Sequence, residues 1–473
     1  MRASLRERAI PVLGLLAAST AGPFAVLHFF GSRQVMVDGG VHFYGLAISS
    51  AVATAAAVAM TIVGSRRGDG RAVIVGTAFS AMAAMLAVHG FTTPDFLVGM
   101  NGVVAFSGAA TLPLGGAVLA LSALPSLRRP RSVRPLLWLQ AVLLAAILAL
   151  GAVGVLFPSL VPAVPEENSP EAVVLLVLGL AFFLALGLRA ARTYLLTRRR
   201  ADLAVVAGVV LLGAAIVPAL TLGPWDFGWW AGHVFELVGI GLVGGPVALD
   251  LHRGAQSRPL AGDLSGAELV RAADCFLGPT VRALLVRLAE KDAYTEGHTR
   301  RVALLAVQVG DALGLPPGRL RDLAIGALLH DVGKLSVPDS ILQKPAQLSD
   351  DEYAVIRQHP SRGAELVEDL GGFSPLVVRL VRDHHERLDG RGYPAGSGGE
   401  CLDLETRVLT ACDVYDALLS TRVYREAWSR GRALRLLRDE TGSAFDPRCV
   451  EALERVLSAT TEAPSVSVPT VAV

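Results

Sequence analysis

The 473-residue chain is 52% hydrophobic and only 18% charged, with a mean hydropathy of +0.50, whereas soluble domains carry roughly 25% charged residues. Its net charge of +1 argues against a dedicated binder of nucleic-acid polymers. Charge is also unevenly placed, since residues 1–250 hold 16 arginines and 11 acids while the rest hold 27 basic and 31 acidic side chains; this excludes a single soluble globule, and the first part is too apolar for disorder.

In chain order, apolar stretches of about 20 residues, the length that crosses a bilayer as a helix, recur near 9–30, 42–64, 72–91, 96–122, 135–157, 171–191, 202–222 and 229–250. They predict a polytopic transmembrane helical bundle of about eight spans, with a kink in the fourth at Pro113 and the Gly115-Gly116 pair. With the N-terminus inside, the inner segments hold Arg2, Arg6 and Arg8, then Arg66, Arg67 and Arg71, then Arg128, Arg129, Arg131 and Arg134, then the 189–200 cluster. Only Arg33 falls outside, so fifteen of sixteen arginines obey the positive-inside rule. An even number of spans returns residue 251 onward to the cytoplasm. The run beginning behind Arg6-Glu7-Arg8 resembles a secretory signal, but it continues to Phe30 and reads as an anchor.

His28, His42, His89 and His233 each fall near the outer end of a predicted span, with Glu236 one turn after His233. Ionisable groups inside membranes are candidates for function, and grouped imidazoles can bind a metal or haem. The bland alternative is four wet or hydrogen-bonded interfacial side chains.

Residues 251–266 read as a linker, followed by a connecting helix to about 291 that leads into the second domain, here taken as 265–457. Apolar positions such as Leu284, Leu285 and Leu288, then Val302, Leu305, Ala306 and Val309, recur at helical spacing, so this half is predicted to be all-α as well. Residues 458–473 read as a disordered tail. All four cysteines follow residue 250 with no CxxC spacing, which fits a reducing cytosol rather than a disulfide framework or zinc ribbon.

The histidines of this half carry its chemistry. His330-Asp331 closes the apolar helix Leu323–Leu329, with Gly333 read as its terminator, and His359 precedes Pro360 at a predicted helix start. His384 and His385 are adjacent, about 100° apart on a regular helix, so they would serve two different partners. Asp413, inside the apolar helix Leu404–Leu419, needs a cation. Imidazoles mixed with carboxylates suit iron, manganese or zinc.

Read in order, Asp292-Ala293-Tyr294-Thr295-Glu296-Gly297-His298, His330-Asp331-Val332-Gly333-Lys334, His359-Pro360, His384-His385-Glu386, Asp389-Gly390-Arg391-Gly392-Tyr393-Pro394, Asp413-Val414-Tyr415-Asp416-Ala417-Leu418 and Arg422-Val423-Tyr424-Arg425 resemble an HD-GYP domain over about 270–455. That is the cyclic di-GMP phosphodiesterase branch of the HD metal-dependent phosphohydrolase superfamily. The resemblance implies that His298, His330, Asp331, His359, His384, His385 and Asp413 bind two or three divalent metals, usually iron or manganese, with Asp331 as the bridge. A metal-bridging hydroxide would attack phosphorus, with Asp331 and Lys334 as the catalytic groups. Lys334, Tyr393, Arg422 and Arg425 would bind substrate, Tyr393 through a guanine. Members with three metals carry a carboxylate where this chain has Tyr294, which favours two; Val423 stands where the family usually has proline. Asp292 and Glu386 could orient histidines, and Arg387 and Arg391 could assist with phosphate.

The expectation is thus an all-α protein of the bacterial inner (cytoplasmic) membrane with a cytosolic HD-type helical domain. It would hydrolyse cyclic di-GMP to pGpG, or onward to GMP, under control of the membrane module, most simply as a homodimer, with the GYP loop available to a protein partner. The alternatives are a non-catalytic cyclic di-GMP receptor that signals through a protein partner, and an enzyme for another cyclic dinucleotide or a linear phosphoester. A transporter is disfavoured by the lack of charged residues at mid-span.

Overall fold

In the first part of the chain the apolar runs fold into eight consecutive helices: α1 (Leu5–Phe30), α2 (Gly39–Arg67), α3 (Gly70–Phe91), α4 (Val103–Leu121), α5 (Val133–Leu156), α6 (Pro170–Thr197), α7 (Arg200–Thr221) and α8 (Phe227–His252). The structure, a computed structural model, describes residues 5–37, 39–93, 98–99, 101–124, 127, 132–160, 166–252, 264–421 and 426–462. The chain divides into two units near residue 263.

Among the described residues, seven helices, α2 to α8, are long and apolar enough to cross a membrane, and α1 contributes the apolar part Ala17–Phe30. α1 nonetheless packs within the bundle, against α7 and α8. Its end and the start of α8 are tied together: Val35 N–H donates to Trp225 O at 2.8 Å, Phe227 N–H to Arg33 O at 2.8 Å, and Gly228 N–H to Gly31 O at 2.9 Å. The C-terminus of α1 and the N-terminus of α8 therefore share one end of the bundle, and the chain leaves α8 at the opposite end.

α3 is the central helix, with Ile74, Phe79, Met82 and Met85 buried, and α7 and α8 add Leu212, Ile216 and Ile240. α5 and α6 instead expose Trp138, Val142, Leu148, Val177, Leu184 and Leu188, an apolar belt that water would not tolerate and a bilayer would. The helices meet through small residues and a few polar contacts, as expected where lipid is the solvent. A Cβ on Gly76 would lie 2.4 Å from Thr61 Oγ1, and Gln140 Nε2 donates to Ser80 Oγ at 2.6 Å. α4 continues through Pro113, and a Cβ on Gly115 or Gly116 would lie 2.6 Å from Met82 or 2.9 Å from Phe183. The glycine pair thus allows close approach of α3 and α6.

The second unit contains α9 (Gly266–Phe276), α10 (Pro279–Lys291), α11 (Ala293–Ala312), α12 (Pro317–Leu329), α13 (Asp339–Leu342), α14 (Asp350–Ile356), α15 (His359–Leu370), α16 (Pro375–Asp383), α17 (Leu404–Leu419), α18 (Arg430–Asp439) and α19 (Pro447–Glu462). The sequence suggested one connecting helix over 267–291. The chain instead breaks at Gly278, φ +34°, a conformation that favours glycine, and α9 packs on α11 and α12 as part of the unit's own core. A capping box between Ser265 and Glu268 starts α9. α19 runs on through 458–462, where a tail was expected; 463–473 lie outside the described residues. The core, including Val302, Ala306, Leu323, Leu380, Val408, Leu409 and Leu453, lies between α11, α12, α16, α17 and α19. Four of these helices deliver the polar cluster described next.

Candidate metal centre

Helix ends build the site. α12 stops at Leu329, His330 occupies its C-cap, and a tight turn, Val332–Ser336, follows. Gly333 does more than end the helix: a Cβ there would lie 1.9 Å from His359 O and 2.5 Å from Gly363 N. Only glycine lets this backbone touch the start of α15, and the contact brings the His330-Asp331 turn onto His359. α16 ends at Asp383 with His384 as its C-cap. Thr410 of α17 donates to His384 O at 2.9 Å and pins that turn. α17 and α11 supply Asp413 and His298.

Three of the rings are set by one device. Nδ1 of His330 lies 2.8 Å from Ala327 O, Nδ1 of His359 2.8 Å from Ile356 O, and Nδ1 of His384 2.8 Å from Val381 O. A carbonyl can only accept, so each Nδ1 carries the proton and each Nε2 presents a lone pair. These lone pairs converge. His359 Nε2 lies 3.3 Å from His384 Nε2, and the buried His330 Nε2 makes no hydrogen bond, although Asp331 Oδ2 is 3.4 Å away. Two facing lone pairs and an imidazole nitrogen without a hydrogen bond, all beside the Asp331 carboxylate, fit a cation, so the donor set suits a metal.

Three overlapping groups have donor atoms within 4.8 Å of one another: His359 with His384 and His385; His298 with His330 and Asp413; and His330 with Asp331 and His384. Together they contain all seven side chains singled out in the sequence. His384 and His385 meet in one group, contrary to the expectation from a regular helix. The helix has ended at Asp383, so the 100° spacing no longer applies.

Protonation also favours metal. Burial depresses both His384 and His385; neighbouring imidazoles deepen the shift at His384, and His385 falls to about 3. Burial alone would raise the carboxyls of Asp331 and Asp413. Lys334 holds Asp331 well below the usual range, and a hydrogen bond from His298 does so for Asp413. Neutral imidazoles and ionised carboxylates are the forms that bind metal. His298 differs: burial opposes its charge, yet hydrogen bonds to Asp413 and Asp416 raise it to about 10.

Asp416 was not picked out as a site residue. It accepts from His298 Nδ1 at 2.8 Å and takes a two-pronged contact from Arg301, at 2.8 and 2.9 Å. The signal available was spacing, since Asp413 and Asp416 lie three apart on one helix, as do His298 and Arg301. Lys334 Nζ donates to Asp331 Oδ2 at 2.7 Å, which keeps an ammonium at the edge of the cluster.

Tyr393 lies against His385 with centroids 4.8 Å apart and the rings tilted by 36°, and the Arg357 guanidinium, also missed in the sequence, lies 4.8 Å over the Tyr393 ring. Burial raises the Tyr393 phenol, keeping it protonated. The loop around it is held by Glu386, which accepts from the amides of Ala395, Gly396 and Ser397 at 2.7 to 3.0 Å. Glu386 therefore anchors a loop and does not orient a histidine. Arg387 is engaged by Asp389 and Glu440. Arg422 and Arg425 lie outside the described residues, as does the side chain of Tyr294.

Residues 284–449 match the family described as HD domain. RpfG, a cyclic di-GMP phosphodiesterase response regulator of Xanthomonas campestris pv. campestris, is 43% identical over 179 residues, 37% of this chain and 47% of that protein. A cyclic di-GMP phosphodiesterase of Pseudomonas aeruginosa is 40% identical over 179 residues, 38% of this chain and 43% of its own length. A 3'3'-cGAMP-specific phosphodiesterase of Vibrio cholerae is 36% identical over 185 residues, 39% of this chain and 40% of that one. The match thus spans less than half the length of each of these relatives.

Proposed function

We propose that the second unit, whose residues 284–449 carry the HD domain, is a metal-dependent phosphodiesterase that hydrolyses cyclic di-GMP to linear pGpG. The observation that carries this reading is the convergence of five imidazoles and two ionised carboxylates in three overlapping donor groups. The choice of substrate is supported by relatives named as cyclic di-GMP phosphodiesterases.

His298, His330, Asp331, His359, His384, His385 and Asp413 would hold two ions, iron or manganese, with Asp331 between the groups. The ions, when bound, supply Lewis-acid polarisation of the phosphate and acidify water. In the overall reaction water adds across one P–O3′ bond; its oxygen joins phosphorus and the 3′ oxygen leaves with a proton. Lys334 would turn from Asp331 to a non-bridging phosphate oxygen as a point charge. Tyr393, fixed against His385 and under Arg357, offers a face for a guanine. Arg422 and Arg425 would take the second phosphate.

The proposal places the protein in the bacterial inner membrane with the catalytic unit in the cytoplasm. Supporting it, α8 leaves the bundle at the end opposite the Arg33 loop, the side to which fifteen of sixteen arginines are assigned. Control by the membrane unit, a homodimer and a protein partner at the GYP loop complete the reading.

The test uses the full chain in detergent, supplied with Mn²⁺ or Fe²⁺ without oxygen, and cyclic di-GMP followed by chromatography. pGpG formation lost in His330→Ala and Asp331→Ala supports the enzyme. Bound nucleotide without turnover, despite a full metal load, would favour the receptor reading. The Vibrio cholerae relative motivates a parallel assay with 3'3'-cGAMP, and faster turnover of that compound would reassign the substrate.

A further inference from the structure

The membrane unit holds a second imidazole cluster. His42 of α2, His89 of α3 and His233 of α8, far apart in sequence, bring donor nitrogens within 4.8 Å of one another. Their rings touch: His42 lies 5.2 Å from both His89 and His233, centroid to centroid. His28, expected in the same set, is not in it; it stacks on Phe24 near the end of α1.

The tautomers are set here as they are in the HD unit. His89 Nδ1 lies 2.8 Å from Val104 O, and His233 Nδ1 lies 3.0 Å from Trp229 O, one turn back on α8. Each Nδ1 must donate to its carbonyl, which leaves Nε2 as a bare lone pair. His42 and His89 are 8% and 6% exposed, and the Nε2 of each is buried with no hydrogen-bond partner. Two polar atoms orphaned in an apolar bundle need an explanation, and a shared cation between them gives one.

The surroundings limit what that cation can be. Trp229 and Trp230 close the cluster, at 4.9 and 5.5 Å from His42. The rings contact one another directly, so a single ion fits among them and a porphyrin does not. No thiol is present in this half of the chain, and the group is all imidazole, a donor set suited to copper or zinc and unsuited to calcium or magnesium. Glu236 lies one turn along α8 from His233, buried, with Oε1 unpartnered.

We propose that His42, His89 and His233 form a binding site for one copper or zinc ion near the Arg33 end of the membrane bundle, independent of the metals of the HD unit. The α4 backbone is fitted to it. A Cβ on Gly108 would lie 2.8 Å from His89 Cε1 and 3.1 Å from Nδ1, so Gly108→Ala displaces a ligand ring without removing one.

The experiment measures metal per chain on the full-length protein in detergent, titrated separately with Cu⁺ and Zn²⁺ against a competing chelator. Because the HD unit is the same in every variant, differences report the membrane site alone. The wild type and His28→Ala are expected to bind one equivalent more than His42→Ala/His233→Ala, and Gly108→Ala to bind that equivalent about tenfold more weakly. Copper or zinc is assigned by whichever titration shows the difference. If the double variant does not survive purification, Gly108→Ala against His28→Ala carries the test. Equal stoichiometry and affinity across all variants for both ions would overturn the site.

Discussion

His359 Nε2 and His384 Nε2 face each other at 3.3 Å, while the Nδ1 proton of each ring is committed to a carbonyl three residues back, Ile356 and Val381. Neither facing nitrogen can donate to the other. With those protons so placed, both facing nitrogens present lone pairs, an arrangement suited to a shared cation.

Metal should stabilise this protein. Stripping with a chelator is expected to lower the melting temperature of the second unit, and Mn²⁺ at 100 times its dissociation constant to restore about 2.7 kcal/mol, read by calorimetry. In His384→Ala the metal-dependent rise should shrink markedly. An unchanged rise would mean that the cluster is not the binding site.

Asp416 should act through His298. Asp416→Ala leaves every proposed ligand in place but removes the acceptor of His298 Nδ1 and the two-pronged contact of Arg301. The expected loss is about 10- to 100-fold in metal affinity, measured by competition with a chromophoric chelator, with Asp416→Asn milder because it can still accept from Nδ1. Turnover at saturating metal should recover most of its value.

The loop that carries Tyr393 should depend on Glu386. Glu386→Ala would leave the amides of Ala395, Gly396 and Ser397 without their acceptor, so hydrogen exchange there should quicken and KM rise about tenfold. Gly392→Ala should be worse, since its Cβ would fall 2.5 Å from Glu386 Cα, a backbone clash that costs several kcal/mol.

Arg357 should matter for substrate and not for metal. Arg357→Ala removes the cation over the Tyr393 ring and is expected to raise KM several-fold with metal content unchanged. Elemental analysis beside steady-state kinetics separates the two.

Asp446 gives a pH signature away from the metals. Hydrogen bonds from Arg448, then Arg407, hold its carboxyl down at about 2 against burial, which would raise it. A depressed carboxyl stabilises the fold above its unfolded value of roughly 3.9, and the benefit fades as pH falls toward 2. Asp446→Asn should therefore lower the melting temperature at neutral pH, with the gap to wild type narrowing between about pH 4 and pH 2.

Much of this was legible in the sequence because it is local. Span length and apolarity gave the helices of the bundle, and the boundaries of α12 and α17 follow from apolar runs ending at His330 and enclosing Asp413. Asp416 and Arg357 were not legible. Their meaning lies in contacts with His298, 118 residues away, and with Tyr393, and single-sequence spacing cannot rank such contacts above an ordinary surface charge.

The sequence alone determined which residue types were available and in what order: eight apolar runs, an arginine-biased face, and seven candidate metal-ligating side chains in compact motifs. Only the tertiary structure decided how they combine. His384 and His385 share one group because α16 stops at Asp383, and the HD doublet meets His359 because Gly333 admits backbone contact. His42, His89 and His233 meet only where three helices cross, while His28 faces elsewhere. Helical periodicity fixes the direction of a side chain relative to its own axis; where that axis ends and what it packs against are set by long-range burial, which no local pattern encodes.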